Sequence, residues 1–270
     1  MIDKTPTTRF SRQNATAEPN SDEESALPWW FTSQINAVNN DFLERAVSIP
    51  ANALWLPTQV TGVDLRILEY IPGKAPRLTG LLRLDPAVSP AQLGENSDLE
   101  ILMLKGELET EMGIYPSGLY IRLPTSGEAP LQPLTLRSEL NRKHEKPALL
   151  YFASGQMMSS DSEQRRLDTN DESRWLPGPV EGTEVLPLHG HGTGNAMLIR
   201  WNSTIAFKPR LDPMGEEVLV LKGSIHDRHG HYPAGSWIRN PIHAWQSWGA
   251  KSGTVVYYKN GHFSKAVDHS

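Results

Sequence analysis

Residues 99–122 read LEILMLKGELETEMGIYPSGLYIR, and residues 216–239 read EEVLVLKGSIHDRHGHYPAGSWIR. The two stretches align without a gap, and 11 of the 24 aligned positions are identical. The likeness continues outward, because Trp55-Leu56-Pro57 before the first stretch reappears as Trp175-Leu176-Pro177 before the second. Similarity of this kind within one chain indicates an ancestral unit that has been duplicated in tandem.

Each copy consists of short apolar runs separated by turn residues. The runs at 100–104 and 218–221 are rich in strand-forming side chains. Glycines at 113 and 118, and again at 230 and 235, follow these runs at the spacing of a hairpin and a second turn. Short strands with frequent turns close most readily into small barrels. We therefore predict an all-β chain that forms two tandem barrels.

The pattern divides the chain into four segments. Residues 1–28 are polar, with too few apolar side chains to form a core, which predicts a disordered tail. Residues 29–156 hold the first barrel and its lead-in, where the sequence 39–47 is predicted to form a short helix. The polar residues 157–173 are predicted to be a linker, and residues 174–265 the second barrel.

The composition argues against several functions. The 270 residues include no cysteine, which excludes disulfides, thiolate metal sites and cysteine nucleophiles. A formal net charge of −5, without a basic cluster, makes nucleic acid an unexpected partner. No apolar run approaches the ~18 residues of a membrane span, and the N-terminus lacks the apolar core of a signal peptide. We therefore expect a cytoplasmic protein that does not associate with membranes.

A shared motif connects both copies to a known family. Each copy carries E-x-L-x-L-x-G, then G-x-Y-x-x-G, then R-x-P, starting at Glu100 and at Glu217. This wording resembles the ChrR-type cupin, a domain of certain anti-sigma factors that also occurs alone or doubled in stress-response and dioxygenase-like proteins. The resemblance implies a double-stranded β-helix, or jelly-roll, barrel for each copy. The cysteine-containing zinc domain that accompanies the anti-sigma role has no counterpart in residues 1–54.

The resemblance also identifies positions where metal-binding members of the family carry their ligands, a set of His and Glu side chains suited to Zn, Fe or Mn. In the first copy the positions hold Leu93, Glu95, Leu99 and Ala129, which predicts no metal site. In the second copy they hold Arg210, Asp212, Glu216 and Gln246.

Three hypotheses stay open for these second-copy residues. Asp212, Glu216 and Gln246 are oxygen donors that could hold one divalent cation. Arg210 is instead a permanent cation that could pair with the two carboxylates in place of a metal. Arg210 could also bind an anionic ligand inside the barrel by paired hydrogen bonds. His243 and Trp248 are the further candidates for this ligand pocket.

Two histidine groups elsewhere have simpler interpretations. His226, Asp227, His229 and His231 surround Gly230, which predicts a solvated hairpin tip. His189-Gly190-His191-Gly192 is rich in glycine and is interpreted as a turn, with neither a metal-site nor a phosphate-loop pattern.

The leading functional hypothesis is a bicupin with degenerate metal sites. Such a protein would bind a small molecule or have a regulatory role in a stress or oxidative response. A metal-dependent dioxygenase that uses the second barrel is the first alternative. A self-associating structural protein is the second, and a homodimer is expected because exposed strand edges usually need cover.

Overall fold

The computed structural model describes residues 36–73, 76–86, 91–93, 97–110, 113–125, 134–136 and 147–263. The predicted tail, residues 1–28, and residues 29–35 of the lead-in lie outside this range. The strands of the first copy are β1 Ala46–Ser48, β2 Leu56–Pro57, β3 Val63–Ile71, β4 Arg77–Leu84, β5 Ala91–Leu93, β6 Leu99–Lys105, β7 Glu107–Thr110, β8 Gly113–Pro116, β9 Leu119–Leu123, β10 Leu134–Leu136 and β11 Ala148–Ser154. The second copy begins with β12 Arg165–Asp168, β13 Leu176–Pro177, β14 Thr183–His191, β15 Gly194–Trp201, β16 Ile205–Ala206 and β17 Arg210–Asp212. It continues with β18 Glu216–Lys222, β19 Ser224–Asp227, β20 Gly230–Pro233, β21 Trp237–Asn240, β22 Ala244–Gln246, β23 Gly249–Ala250 and β24 Val255–Asn260.

The all-β prediction is confirmed, because strands dominate the described residues and helical structure is limited to the 3₁₀ turns Pro50–Asn52 and Glu172–Arg174. No described helix is long and apolar enough to cross a membrane. Each copy forms one seven-stranded sheet and one four-stranded sheet, and β17 and β22 form a further two-stranded ribbon. Gly106 and Gly223 both have a φ near +70°, which permits the sharp turn between β6 and β7 and between β18 and β19.

The alternation of side chains along each strand gives every large sheet two buried faces. The inner faces fill the two barrels with apolar side chains, among them Leu82 and Phe152 in the first and Trp201 and Val256 in the second. The outer faces of the two large sheets bury a third apolar cluster between the barrels, which includes Leu102, Tyr151 and Leu219. The two barrels therefore share a core.

The lead-in to each barrel crosses to the other barrel. The strand β1 pairs with β21 of the second barrel, with Ala46 opposite Arg239. The strand β12 pairs with β9 of the first barrel, with Arg165 opposite Arg122. The helix predicted for residues 39–47 is wrong, since this stretch contains turns and then β1. Tertiary pairing with β21 outweighs the weak helical pattern of so short a segment. The segment predicted as a linker, 157–173, contains β12.

Two glutamates, Glu100 and Glu217, lie buried between the barrels at equivalent positions of the two copies. Glu100 accepts hydrogen bonds from Tyr120 (2.7 Å), Tyr257 (2.8 Å) and Lys259 (2.6 Å). Glu217 accepts hydrogen bonds from Tyr151 (2.8 Å), Trp237 (2.8 Å) and His262 (3.1 Å). Buried carboxylates are stable only when their lone pairs are satisfied in this way. The partners come from both copies and fix one barrel against the other.

Candidate functional site

A cavity of about 850 Å³ opens into the second barrel. Its walls are mainly apolar and come from strands β14, β15, β16 and β24 and from the segment before β17. They include Val185, Met197, Ile199, Phe207, Trp248 and Tyr258. Arg210 forms part of the wall, and Lys208 and Glu181 also line the cavity. A concave apolar space with a few charged groups is the usual form of a small-molecule site.

The four second-copy residues singled out by the resemblance converge beside this cavity. The ribbon of β17 and β22 places Arg210 opposite Gln246. Arg210 Nη1 lies 3.1 Å from Asp212 Oδ2, and Arg210 Nη2 lies 3.3 Å from Glu216 Oε2. The Gln246 amide lies against the Glu216 carboxylate, with its nitrogen 2.6 Å from Oε1 in the orientation that satisfies both groups. The guanidinium therefore occupies the space between the two carboxylates.

Glu216 is the innermost of these groups and has no exposed surface. Burial raises the pKa of its carboxyl to about 7, although the hydrogen bond from Asn240 (2.9 Å) and the charge of Arg210 favour ionisation. Arg210 Nη2 also donates to the Tyr258 hydroxyl at 3.3 Å. Burial raises the pKa of Tyr258 as well, so its hydroxyl stays protonated at neutral pH. The site thus combines one permanent cation with an acidic pair.

The residues present do not fit the metal that the fold family implies. A divalent cation needs a set of donor atoms around one point, whereas a guanidinium has five N–H donors and no lone pair to offer. Arg210 lies among the oxygens that would otherwise converge on the cation. No group of three or more His, Asp or Glu side chains within the described ranges is placed to hold a metal ion. In the first barrel Leu99 is buried and apolar, while Glu95, Ala129 and the side chain of Leu93 lie outside the described residues.

The other two pocket candidates have different positions. Trp248 is buried, lines the cavity and packs against Phe207 and Trp201, with ring centroids 5.1 and 5.3 Å away. His243 does not join the site: its side chain is exposed, and its φ of 57° places it in the turn before β22. Trp245 is 62% exposed on that ribbon.

The two histidine groups differ in how well they were predicted. His226, His229 and His231 lie on the β19–β20 hairpin, whose tip is tied by Asp227 to the backbone N–H groups of His229 and Gly230, as predicted. The turn predicted for residues 189–192 is wrong for both histidines, since His189 and His191 lie in β14. The glycines were misleading, because Gly190 pairs with Asn195 inside the ladder and the turn itself lies one step later, between His191 and Gly194.

Tyr258 and Asn240 belong to the site but were not among the predicted residues. Tyr258 lies in an apolar run that indicates core, and its hydroxyl reaches the site because the strand alternation points it into the barrel. Asn240 is the middle residue of the R-x-P motif in the second copy, which could have drawn attention to it.

Comparisons with known proteins agree with this architecture. No curated protein matches the sequence. Among solved structures, Ylba from E. coli has a TM-score of 0.60 at 12% identity over 84% of this chain and 94% of its own. A "putative dioxygenase" from Nostoc punctiforme has a TM-score of 0.58 at 13% identity, over 83% of this chain and 81% of its own. A "putative glyoxylate induced protein" from Pseudomonas aeruginosa has a TM-score of 0.59 at 13% identity, over 87% of this chain and 95% of its own.

At such low identity these structures show the fold alone. The sequence profile of the ChrR Cupin-like domain matches residues 43–131 and again residues 163–264. Two matches in tandem agree with the internal repeat and with the two barrels. The chain therefore belongs to the ChrR Cupin-like domain family, with the domain present twice.

Proposed function

We propose that the second barrel binds a small, mainly apolar molecule that carries a carbonyl or carboxylate group, and does so without a metal ion. The observation that supports this most directly is the Arg210 guanidinium, which lies in the wall of an otherwise apolar cavity of about 850 Å³. The binding protein would have a regulatory role in a stress or oxidative response, as expected for its family.

The chemistry of Arg210 supports its role as the anchor. Its three hydrogen bonds, to Asp212, Glu216 and Tyr258, use only some of its five N–H donors. The side chain is 48% exposed, so the remaining donors are accessible to a ligand. Carbonyl and carboxylate oxygens are the natural acceptors for such donors. Asp212 and Glu216 would hold the guanidinium in place while the ligand binds.

The cavity walls favour a ligand with a substantial apolar body. Phe207, Trp248 and Ile199 offer flat and branched surfaces, and each apolar contact removes hydrocarbon from water. Lys208 adds a second cation to the lining, opposed by the single charge of Glu181, so that Arg210 is the group expected to favour carboxylates over neutral carbonyl compounds. A free amino acid or a sugar would leave most of this apolar wall without a partner.

The proposal predicts a clear dependence on Arg210. Benzoate and octanoate should bind more tightly than benzamide and octanamide in calorimetric titrations of metal-free protein. Replacing Arg210 with Met keeps the aliphatic stem but removes the charge, and should weaken carboxylate binding at least tenfold, about 1.4 kcal/mol. Arg228→Met, which removes a guanidinium from the exposed tip of the β19–β20 hairpin, is the matched control and should leave carboxylate binding unchanged. Equal affinities in the wild type and Arg210→Met would contradict the proposal.

A metal-dependent dioxygenase is the second candidate, because the carboxylates of Asp212 and Glu216 both lie against Arg210 at the position of the family's metal site. One structural neighbour is named a "putative dioxygenase". This activity would require Arg210 to leave the two carboxylates it now pairs with. Metal that binds to the wild-type protein and is lost in Asp212→Asn would favour this candidate over metal-free binding.

A further inference from the structure

The interface between the barrels has two ends that are related by the internal repeat. Arg122 and Arg239 hold equivalent positions in the copies, and each lies opposite a crossing strand. Phe42 and Asp161 each lie four residues before the residue that pairs with these arginines, Ala46 and Arg165 respectively. The β-bulges of β3 and β14 place Glu69 and His189 at equivalent points. The two ends can therefore be compared side chain by side chain.

At one end, the interface is closed by Arg77. Its Nε lies 2.5 Å from Glu69 Oε1, and Arg239 Nη1 lies 2.5 Å from Glu69 Oε2. Arg77 Nη1 also donates to the His262 carbonyl at 3.4 Å. The Phe42 ring covers both guanidinium groups at 5.2 and 4.5 Å. Only 6% of the Arg77 side chain is exposed, so no space is left at this end.

At the other end, smaller residues take two of these three places, and a cleft remains. Ile71 and His191 end the equivalent strands β3 and β14. Arg77 pairs with Ile71 and Gly194 pairs with His191, so a glycine stands where the closed end has its arginine. Asp161 replaces Phe42, and His189 replaces Glu69. The resulting cavity measures about 50 Å³. Because one water requires on the order of 10–15 Å³ on this scale, the cleft has room for a group as large as a guanidinium.

The cleft contains an acceptor without a partner. His189 Nε2 lies 2.8 Å from Asp161 Oδ2, and Asp161 also receives Arg122 Nη2 at 2.5 Å. An ionised carboxylate can only accept, so Nε2 carries the proton of the neutral ring and Nδ1 carries a lone pair. Burial lowers the pKa of His189, which agrees with a neutral ring. Nδ1 is buried and has no hydrogen-bond partner among the described residues, although His189 is only 8% exposed.

One further acceptor lies near this nitrogen, next to the residues that line the cleft. Glu163 Oε2 lies 3.5 Å from His189 Nδ1 and is half-exposed, with Arg165 Nη2 on its other oxygen. His191 Nδ1 lies 3.9 Å from Asp161 Oδ1. The Lys259 ammonium, also in the lining, is already bound to Glu100 and Gln156. Two acceptors that approach each other without a donor between them favour a ligand that brings several N–H groups.

We infer that this cleft binds the guanidinium or primary ammonium group of a small organic cation, in the place that the Arg77 guanidinium fills at the closed end. His189 Nδ1 and the Glu163 carboxylate accept its N–H groups, and Asp161 holds His189 in the required tautomer. This site is separate from the cavity of the second barrel and does not depend on the function proposed for that cavity.

Calorimetric titration with methylguanidine tests the inference, with N-methylurea as the uncharged analogue of the same shape. Methylguanidine should bind at least tenfold more tightly than N-methylurea. Gly194→Arg should abolish binding, because it supplies a guanidinium from within the chain. A Cβ atom added at Gly194 would meet no atom closer than 3.4 Å, so the backbone at this position accepts a side chain and the variant should fold. Ser252→Arg, which adds the same charge on an exposed turn, should leave binding unchanged.

Glu163→Gln gives an independent test at a half-exposed position, and should weaken methylguanidine binding at least fivefold. Equal binding of methylguanidine to the wild type, Gly194→Arg and Glu163→Gln would overturn the inference. Binding of Zn²⁺ at His189 with no binding of methylguanidine would also overturn it.

A capped arginine, N-acetyl-arginine amide, distinguishes the source of the cation. Binding as tight as that of methylguanidine supports an arginine side chain of another protein, and tighter binding of methylguanidine supports a free small molecule.

Discussion

At the scale of single residues, the neighbours Glu216 and Glu217 point to opposite faces of β18, and the pKa values of their carboxyls shift in opposite directions. Glu216 points into the second barrel, where burial raises its pKa to about 7. Glu217 points into the interface between the barrels. Burial alone would raise its pKa too, but the hydrogen bond and charge of His262, with Lys259 and Trp237, lower it to about 2. Both carboxyls are fully buried, and only their partners differ.

These shifts predict opposite effects of removing the two charges. A carboxyl with a raised pKa holds its proton more tightly in the folded protein, so its ionisation destabilises the fold as pH rises from about 4.5 through about 7. Glu216→Gln should match the wild type near pH 5 and exceed its thermal stability at pH 8. Glu217 stabilises the fold above about pH 4.5, and this contribution is lost only as pH falls towards 2.

Glu217→Gln is therefore the matched control. It should lower the free energy of unfolding by roughly 3 kcal/mol, from a shift of about 2.5 pKa units, at both pH 5 and pH 8. Thermal unfolding of the three proteins at the two pH values measures these differences. A stability gain of Glu216→Gln that is the same at pH 5 and pH 8 would disagree with a raised pKa at this residue.

Part of the site could be predicted from sequence. The resemblance located Arg210, Asp212, Glu216 and Gln246. Pairing of Arg210 with the two carboxylates was one of the three hypotheses, and the structure contains these ion pairs. His243 was misplaced, because its distance from Gln246 along the chain says nothing about the positive φ that turns it outward. The His189 cleft was also missed, since its residues come from distant parts of the chain and meet only when the barrels pack.

At the scale of elements, the crossing strands β1 and β12 were the hardest to predict from the local sequence. Each is only three or four residues long, and the pattern of its own residues does not predict which strand it pairs with. The barrel strands were predictable because both copies repeat the same apolar runs and glycines. The choice of partner for an edge strand depends on the assembled sheet, so the polar segment before β13 was interpreted as a linker.

The crossing strand β12 should contribute to the stability of the whole molecule. Leu167 is 7% exposed and packs in the cluster between the barrels. Leu167→Ala should lower the free energy of unfolding by about 2–3 kcal/mol, because it removes buried hydrocarbon and leaves a cavity. Leu176→Ala, at a position that is 50% exposed, is the control and should cost much less. Denaturant titrations of both variants check this, and equal losses would show that β12 is not an integral strand.

At the scale of the whole molecule, the shared core and the crossed strands join the two barrels into one unit. Neither barrel has a complete large sheet without a strand from the lead-in of the other. We therefore expect a single unfolding transition in scanning calorimetry, with the calorimetric and van't Hoff enthalpies equal. Two separate transitions would show that the barrels unfold independently. The homodimer expected from the sequence stays a prediction.

The central claim is that the Arg210 guanidinium takes the place of a metal ion in the second barrel. Titration with Mn²⁺, followed by elemental analysis after gel filtration, tests it most directly on the wild type and on Arg210→Ala. Removing the guanidinium leaves the carboxylate oxygens of Asp212 and Glu216 facing the space that it occupied, so the variant should retain Mn²⁺ while the wild type retains none. One equivalent of metal in the wild-type protein, lost in Glu216→Ala, would contradict the account.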